Sequence, residues 1–405
     1  MTEAAAKVPT TPRQPGGGLF DAARDRLRRG DLGSIPVAVG LVLIAIVFSA
    51  LNGHFLSAEN LTNLALQMAA TGTIALGIVL VLLLGEIDLS VGSVSGLSAV
   101  VMTVLYTQQG WNPVLAVLGA LVTGAVIGAL HGLMRTKLAM PSFVVTLAGL
   151  IGWLGLMLFL LGKAGTINLP FDRGIASLSD TWLPPWLGWA LVVVLVGTHL
   201  TSSLVTQRMR VAAELAAPST TWVLARSAGL AVLLVAGLLV LNADRGVPLT
   251  LVIFGGLVVL VDLALRRTVW GRRMYAVGGN AEASRRAGIN VTQVRILAFV
   301  GASTLAAVGG VLAASRLAAV NQTSGGSDIL LNAIAAAVIG GTSLFGGRGR
   351  AYAALLGILV IQSITNGMLL LNVDSSVRFM VTGAVLAIAV AIDSLARRGA
   401  ADGLT

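Results

Sequence analysis

RRTVWGRRMYAVGGNAEASRRAGINVTQ, residues 266–293, is a polar island between two long apolar runs. Six arginines fall between Arg266 and Arg286, against a single acid, Glu282. The island is too long for a plain turn between membrane helices and too short for a domain. A short helix reads inside it, over Ala281–Ala287. Asn280 is a good N-cap, Glu282 sits in the first turn, Arg285 and Arg286 in the last, and Gly288 stands where a helix stops. Ala283 and Ala287, four residues apart, give that helix a smooth face able to enter a groove. One short capped helix held out from a membrane domain is suited to a soluble partner. The blander alternative is a basic anchor that only sets topology.

The runs on either side are one pair among many. Hydrophobic residues make up 56% of the 405, charged residues 11%, and mean hydropathy is +0.91. Apolar segments lie near 35–53, 62–84, 91–107, 113–134, 142–162, 187–206, 222–241, 247–265, 294–314, 329–345, 351–371 and 377–395. Such stretches, most of about 18 residues or more, can each cross a hydrocarbon core of roughly 30 Å. The expected fold is therefore all-α: a polytopic inner-membrane helical bundle of about twelve apolar segments. Many of the 49 glycines fall inside the runs, Gly119, Gly124, Gly128 and Gly132 among them, as close helix packing in a membrane requires.

The net charge of +10 is a topology signal rather than a nucleic-acid signal. If the chain starts inside, only Lys163, Arg173, Arg245, Arg316 and Arg378 of the 27 basic residues fall on the outer side. The positive-inside rule then puts both termini in the cytoplasm. The expected layout is a basic cytoplasmic tail at 1–33, partly disordered by its Ala, Thr, Pro and Gly content, a membrane domain at 34–395, and a second tail at 396–405. Residues 19–29, with Phe20, Ala23 and Leu27 among arginines, could lie on the anionic inner leaflet or stay solvated. The first apolar run starts near Ile35, too late for a usual cleavable signal. Cysteine is absent, which removes disulfides and thiolate metal sites. His54, His131 and His199 share no ligand spacing and sit near span ends, where interfacial roles are expected. Gly162-Lys163 lacks the rest of a phosphate-binding loop, so this chain is not expected to bind ATP by that route, and no cofactor or metal site is expected in it.

Two interior segments break the apolar pattern: Gly85–Ser93, reading GEIDLSVGS, and Gly340–Gly349, reading GGTSLFGGRG. Non-helical backbone at membrane depth needs protein or water to satisfy it. Paired interruptions point to a path between inverted repeats. Glu86, Asp88, Ser90, Gly92, Asn332, Gly340, Gly341, Thr342 and Ser343 are accordingly the helix-break and pathway candidates. Glu86 and Asp88 have two readings. They could line a cavity as a proton or substrate site. Alternatively Asp88 or Ser90 caps a helix beginning near Val91, with Glu86 facing water at the membrane edge. The nearness of this turn to the cytoplasmic face favours the second.

Four ordered blocks carry a family resemblance: Glu86–Ser93, Pro141–Gly149 (PSFVVTLAG), Tyr275–Ala283 (YAVGGNAEA) continuing to Gly288–Val291, and Ala333–Leu344 (AIAAAVIGGTSL). Together they resemble the ribose/xylose-type, branched-chain-like family of ABC sugar permeases. Residues 182–243 add two apolar segments to a ten-helix core. That insertion, and Glu86 where many relatives carry Gly, resemble the xylose-type branch. Asn332 and Phe345 depart from the Asp and Ala common in the family.

The resemblance implies a non-enzymatic subunit of a sugar importer in the bacterial plasma membrane. Two permease copies form the pathway. An extracytoplasmic binding protein delivers the sugar, and a separate cytoplasmic ATPase uses ATP and Mg. The coupling helix would comprise Asn280, Ala281, Glu282, Ala283, Ser284, Ala287 and Gly288. Xylose is the expected cargo, with glucose, arabinose, ribose and galactose as alternatives. Two other classes stand beside this one: a secondary transporter with Glu86 and Asp88 as proton carriers, and a membrane scaffold binding a soluble partner through 266–293.

Overall fold

The computed structural model describes residues 35–171 and 174–402. The expected tail at 1–33 lies outside that range. All twelve apolar segments are helices: α1 (Ile35–Leu51), α2 (Ala58–Leu83), α3 (Val91–Thr103), α4 (Pro113–Lys137), α5 (Ser142–Leu161), α6 (Pro185–Ala212), α7 (Thr220–Asn242), α8 (Leu249–Arg267), α11 (Val291–Leu317), α12 (Ser327–Ile339), α13 (Tyr352–Leu370) and α14 (Ser375–Asp402). Between α8 and α11 come two shorter helices, α9 (Val269–Gly279) and α10 (Ala281–Arg286). Nine helices among the described residues are long and apolar enough to span a membrane; α1, α12 and α14 contribute shorter apolar stretches. A π-helical turn, Val104–Gln108, prolongs α3. The last helix runs on to Asp402, past the boundary expected at 395.

Alternate connections gather at two ends. At one end strands β1 (Thr166–Asn168) and β4 (Ala319–Asn321) pair antiparallel, as do β2 (Trp182–Leu183) and β3 (Val247–Pro248). The breaks at Gly85 and Gly346 and the end of α9 at Gly278 meet at the other. It holds most of the basic residues and is called the basic end below.

The centre is the long pair α2 and α11. Each is followed by a 13-residue helix and then two more: α2-α3-α4-α5 and α11-α12-α13-α14. Packing partners repeat too. α11 lies on α3 and α4 as α2 lies on α12 and α13; α3 packs on α5 as α12 packs on α14. The two sets run in opposite directions, so the pattern is that of an inverted repeat. Within it the segment equivalent to Leu84–Ser90, before α3, is Ala318–Gly326, before α12. Gly340–Gly349 follows α12 and is not the repeat mate of Gly85–Ser93, as its composition had suggested. The two segments meet for another reason: both turn back at the basic end.

Small residues set the helix spacing. On α4, a Cβ at Gly124, Gly128 or Gly132 would lie 2.5, 2.4 and 2.7 Å from Ser303 O, Phe299 O and Ile296 Cα of α11. At Gly357 of α13 it would lie 1.7 Å from Ala336 O of α12. These backbones touch, as the glycine pattern led us to expect. Gly357→Ala should therefore cost about 1–3 kcal/mol, seen as a lower Tm of the purified chain. Gly237, with nothing within 4 Å of its would-be Cβ, supplies the control, since Gly237→Ala should hold or raise Tm. Equal Tm values would mean that α12 and α13 are not in backbone contact.

Candidate functional site

The α2–α3 break is where chemistry accumulates. Gly85, at φ 70°, ends α2. Each peptide group beyond it needs a partner. The amide of Glu86 donates back to Val81 O. That of Ile87 donates to Ser142 Oγ at 3.3 Å, and its carbonyl accepts from Thr146 Oγ1 at 3.2 Å. The Pro141–Gly149 block of α5 is thus the clamp for the Glu86–Ser93 block.

Glu86 does not face water at the membrane edge: it is 4% exposed. Arg135, in the last turn of α4, places Nε 3.0 and 2.9 Å from its two oxygens. Arg295, early in α11, brings its own Nε 3.0 Å from Oε1 as a charge contact without an aligned hydrogen bond. A lone buried carboxylate would be costly, and two guanidiniums offset that cost. Both arginines are distant in sequence, so no local pattern announces the cluster.

Asp88 makes the turn. Its Oδ1 accepts from Ser90 N at 2.8 Å and Ser90 Oγ at 2.6 Å. Ser90 occupies the N-cap position of α3, but its hydroxyl goes to Asp88 rather than to the helix. Beyond it lies His131, 1% exposed and not interfacial as its position in the sequence implied. Trp153 Nε1 donates to His131 Nε2 at 3.0 Å, so the imidazole proton sits on Nδ1, 3.4 Å from Ser90 Oγ. A one-way chain of donors runs Trp153, His131, Ser90, Asp88, joining α5, α4 and the break. His199 meets Ser227 Oγ at 3.1 Å in the α6–α7 hairpin, and His54 is exposed.

The other pathway candidates do not join this cluster as a polar lining. A Cβ on Gly92 would press on Gly325 O and Leu330, and one on Gly340 on Ala353 O. Both are close-approach positions. Gly341, at φ 101°, forms the turn after α12, and Thr342 and Ser343 are buried inside that turn. Asn332 stands apart, half-buried on α12. The exit of the turn does reach the break through an amide: Gly347 N donates to Leu83 O at 2.9 Å. A Cβ on Gly278, the penultimate residue of α9, would lie 1.8 Å from the same oxygen. Tyr275 of α9 donates to Gly349 O at 2.9 Å; burial is the main force raising its phenol above the ordinary range, so it stays a donor.

From this junction α10 emerges, capped as its sequence predicts. Asn280 accepts from Ala283 N at 2.9 Å. Gly288, at φ 81°, turns the chain out, and Ile289 N closes on Ser284 O at 3.0 Å. Glu282, Ala283, Arg285, Arg286 and Ala287 are exposed, whereas Ser284 is 5% exposed and faces the bundle. Glu282 pairs with Arg285 and Arg286 of its own helix at 2.6 and 3.3 Å, exposed contacts of small worth. Sequence reading missed α9. Its signal was Thr268, whose hydroxyl accepts from Gly271 N, followed by Met274 and Val277 buried at a spacing of three.

The family described as branched-chain amino acid transport system / permease component matches residues 60–390. The chain is 35% identical to the xylose transport system permease protein XylH of Escherichia coli (strain K12), over 91% of this chain and 94% of that protein. It is 32% identical to XylH of Haemophilus influenzae, over 89% and 96%. It is 33% identical to the ribose import permease protein RbsC of Bacillus subtilis (strain 168), over 88% and 91%. No solved structure matches.

Substitutions at Glu86 and Asp88 test the break. Glu86→Ala strands two arginines; because they are 23% and 18% exposed, hydration should hold the cost to about 2 kcal/mol, below that of a sealed pair. A lower Tm, partly restored by adding Arg295→Met, is expected; an unchanged Tm would refute the cluster's role. Asp88→Asn keeps the turn acceptor and should retain most transport and membrane insertion, while Asp88→Leu should lose both. Equal loss of transport with normal insertion would instead indicate a role for the charge.

Proposed function

Since the chain belongs to the branched-chain amino acid transport system / permease component family, we propose that it is the membrane subunit of an ATP-driven ABC sugar importer. It is a multi-pass protein of the bacterial inner membrane, and its relatives are named as permeases rather than enzymes. Two copies form the pathway, an extracytoplasmic binding protein brings a monosaccharide, and a separate ATPase on the basic end hydrolyses ATP. The basic end, with both termini, faces the cytoplasm; the distribution of arginines supports this. Xylose is the first choice of cargo. The α6–α7 insertion and Glu86 support it, and so do the names of the xylose-transport relatives.

The observation that carries this reading is α10. A six-residue helix, capped at both ends, exposes Ala283 and Ala287 at the basic end. ATP can bias a membrane domain only through contacts that differ between states, and α10 is the element positioned to make them. Proton-coupled transport fits less well. Its best candidate, Glu86, is held by two arginines, and Asp88 is engaged in a turn. Binding constants of the partner binding protein for the five candidate sugars would settle the cargo.

In proteoliposomes with ATPase and binding protein, uptake should require ATP and survive an uncoupler. Gly288→Val forces a β-branched residue into a left-handed conformation. It should abolish substrate-stimulated ATP hydrolysis while leaving membrane insertion and binding-protein docking intact. Wild-type stimulation in that variant would remove α10 from the mechanism, and uncoupler-sensitive uptake without ATP would remove the ATP-driven reading itself.

A further inference from the structure

The α6–α7 hairpin is loosely held. Of the 28 residues of α6 only Gly188 is buried, and the helix packs chiefly on α7. At the basic end, however, the last turns of α6, the connector to α7 and the end of α8 enclose a groove of about 400 Å³. Val205, Met209 and Leu215 are among its apolar lining residues, and Ser202, Arg210 and Arg267 among its polar ones. The charges there are not compensated within the described residues. Arg266, next in the chain, pairs with Asp262 at 2.9 Å and lies over the Tyr352 ring. Arg267 has no such partner, and Arg210 reaches only Ala216 O, at 3.4 Å. Glu214, in the connector, forms no ion pair with either.

We propose that this groove binds an anionic phospholipid. Its phosphodiester lies between Arg210 and Arg267, and one acyl chain lies along Val205, Met209 and Leu215. Paired arginines at the level where helices leave the bilayer attract anionic headgroups. The apolar wall selects a lipid over free phosphate, which would gain nothing from it. A second copy of this face would set arginines against arginines. The bound lipid would fill the space between α6 and α8 and fasten the insertion to the core. None of this depends on the cargo or on ATP.

Native mass spectrometry of the detergent-purified full chain, given equal phosphatidylglycerol and phosphatidylcholine, is the test. Wild type should retain phosphatidylglycerol preferentially. Arg210→Ala and Arg267→Ala should each lower its retention by about fivefold. Arg208→Ala, exposed on the same helix but outside the groove, should leave it unchanged. Equal retention of both lipids, an equal effect of Arg208→Ala, or displacement by inorganic phosphate would overturn the proposal. Because the chain has no cysteine, Met209→Cys gives a single thiol in the groove. Phosphatidylglycerol should shield it from maleimide, whereas a disulfide between two copies would show that a protein face covers the groove instead.

Discussion

A peptide group that leaves helical pairing inside a bilayer must be satisfied by protein, and this requirement organises the α2–α3 break. Within seven residues the backbone draws partners from Val81 and Leu82 behind it, from Ser142 and Thr146 across α5, and from the carboxylate of Asp88 within. The oxygen left at Leu83 is taken by Gly347, beyond α12. The break therefore exists only when α5 and the α12–α13 turn are already docked. It is a tertiary object, although it is written in seven consecutive residues, Leu84–Ser90.

That dependence explains what could be read from the chain alone and what could not. Helices of the bilayer are announced by their own composition, and all twelve were legible. So was α10, because Asn280, Glu282 and Gly288 act on groups within four residues of themselves. Glu86 was misplaced because its partners, Arg135 and Arg295, are 49 and 209 positions away. His131 was misplaced for the same reason: a histidine near a span end is interfacial by default, and only the arrival of Trp153 and Ser90 makes it a buried relay. α9 was obscured by Gly271, Gly278 and Gly279, which lower helix propensity. One of them, Gly278, is small because Leu83 O occupies the place of its side chain.

The repeat shows the same limit at a larger scale. Composition pairs Gly85–Ser93 with Gly340–Gly349 because both are rich in Gly and hydroxyls. Topology pairs the first with Ala318–Gly326, whose Gly and hydroxyl residues, Thr323, Ser324, Gly325 and Gly326, are confined to its end and which lacks the acids of the first. Inversion explains the difference. Equivalent breaks open toward opposite ends of the bundle and so meet different surroundings: one is clamped by side chains of α5, the other by pairing of β4 with β1.

The position of α10 follows from these contacts. On its N-terminal side, Gly278 rests against Leu83 O, the last helical carbonyl before the break. On its C-terminal side the chain enters α11 and, within its first turns, Arg295 reaches Glu86 inside the break. Both flanks of the six-residue helix thus press on the same segment, one through backbone contact and one through charge. A displacement of α10 would act on both flanks, because α9 ends at Gly279 and α11 begins at Val291, directly on either side of it. In the importer proposed above, a push delivered to Ala283 and Ala287 would reach Leu83–Ser90 by two routes at once. The short helix α3, which begins where that segment ends and is buried along nearly its whole length, is the first element that would have to respond.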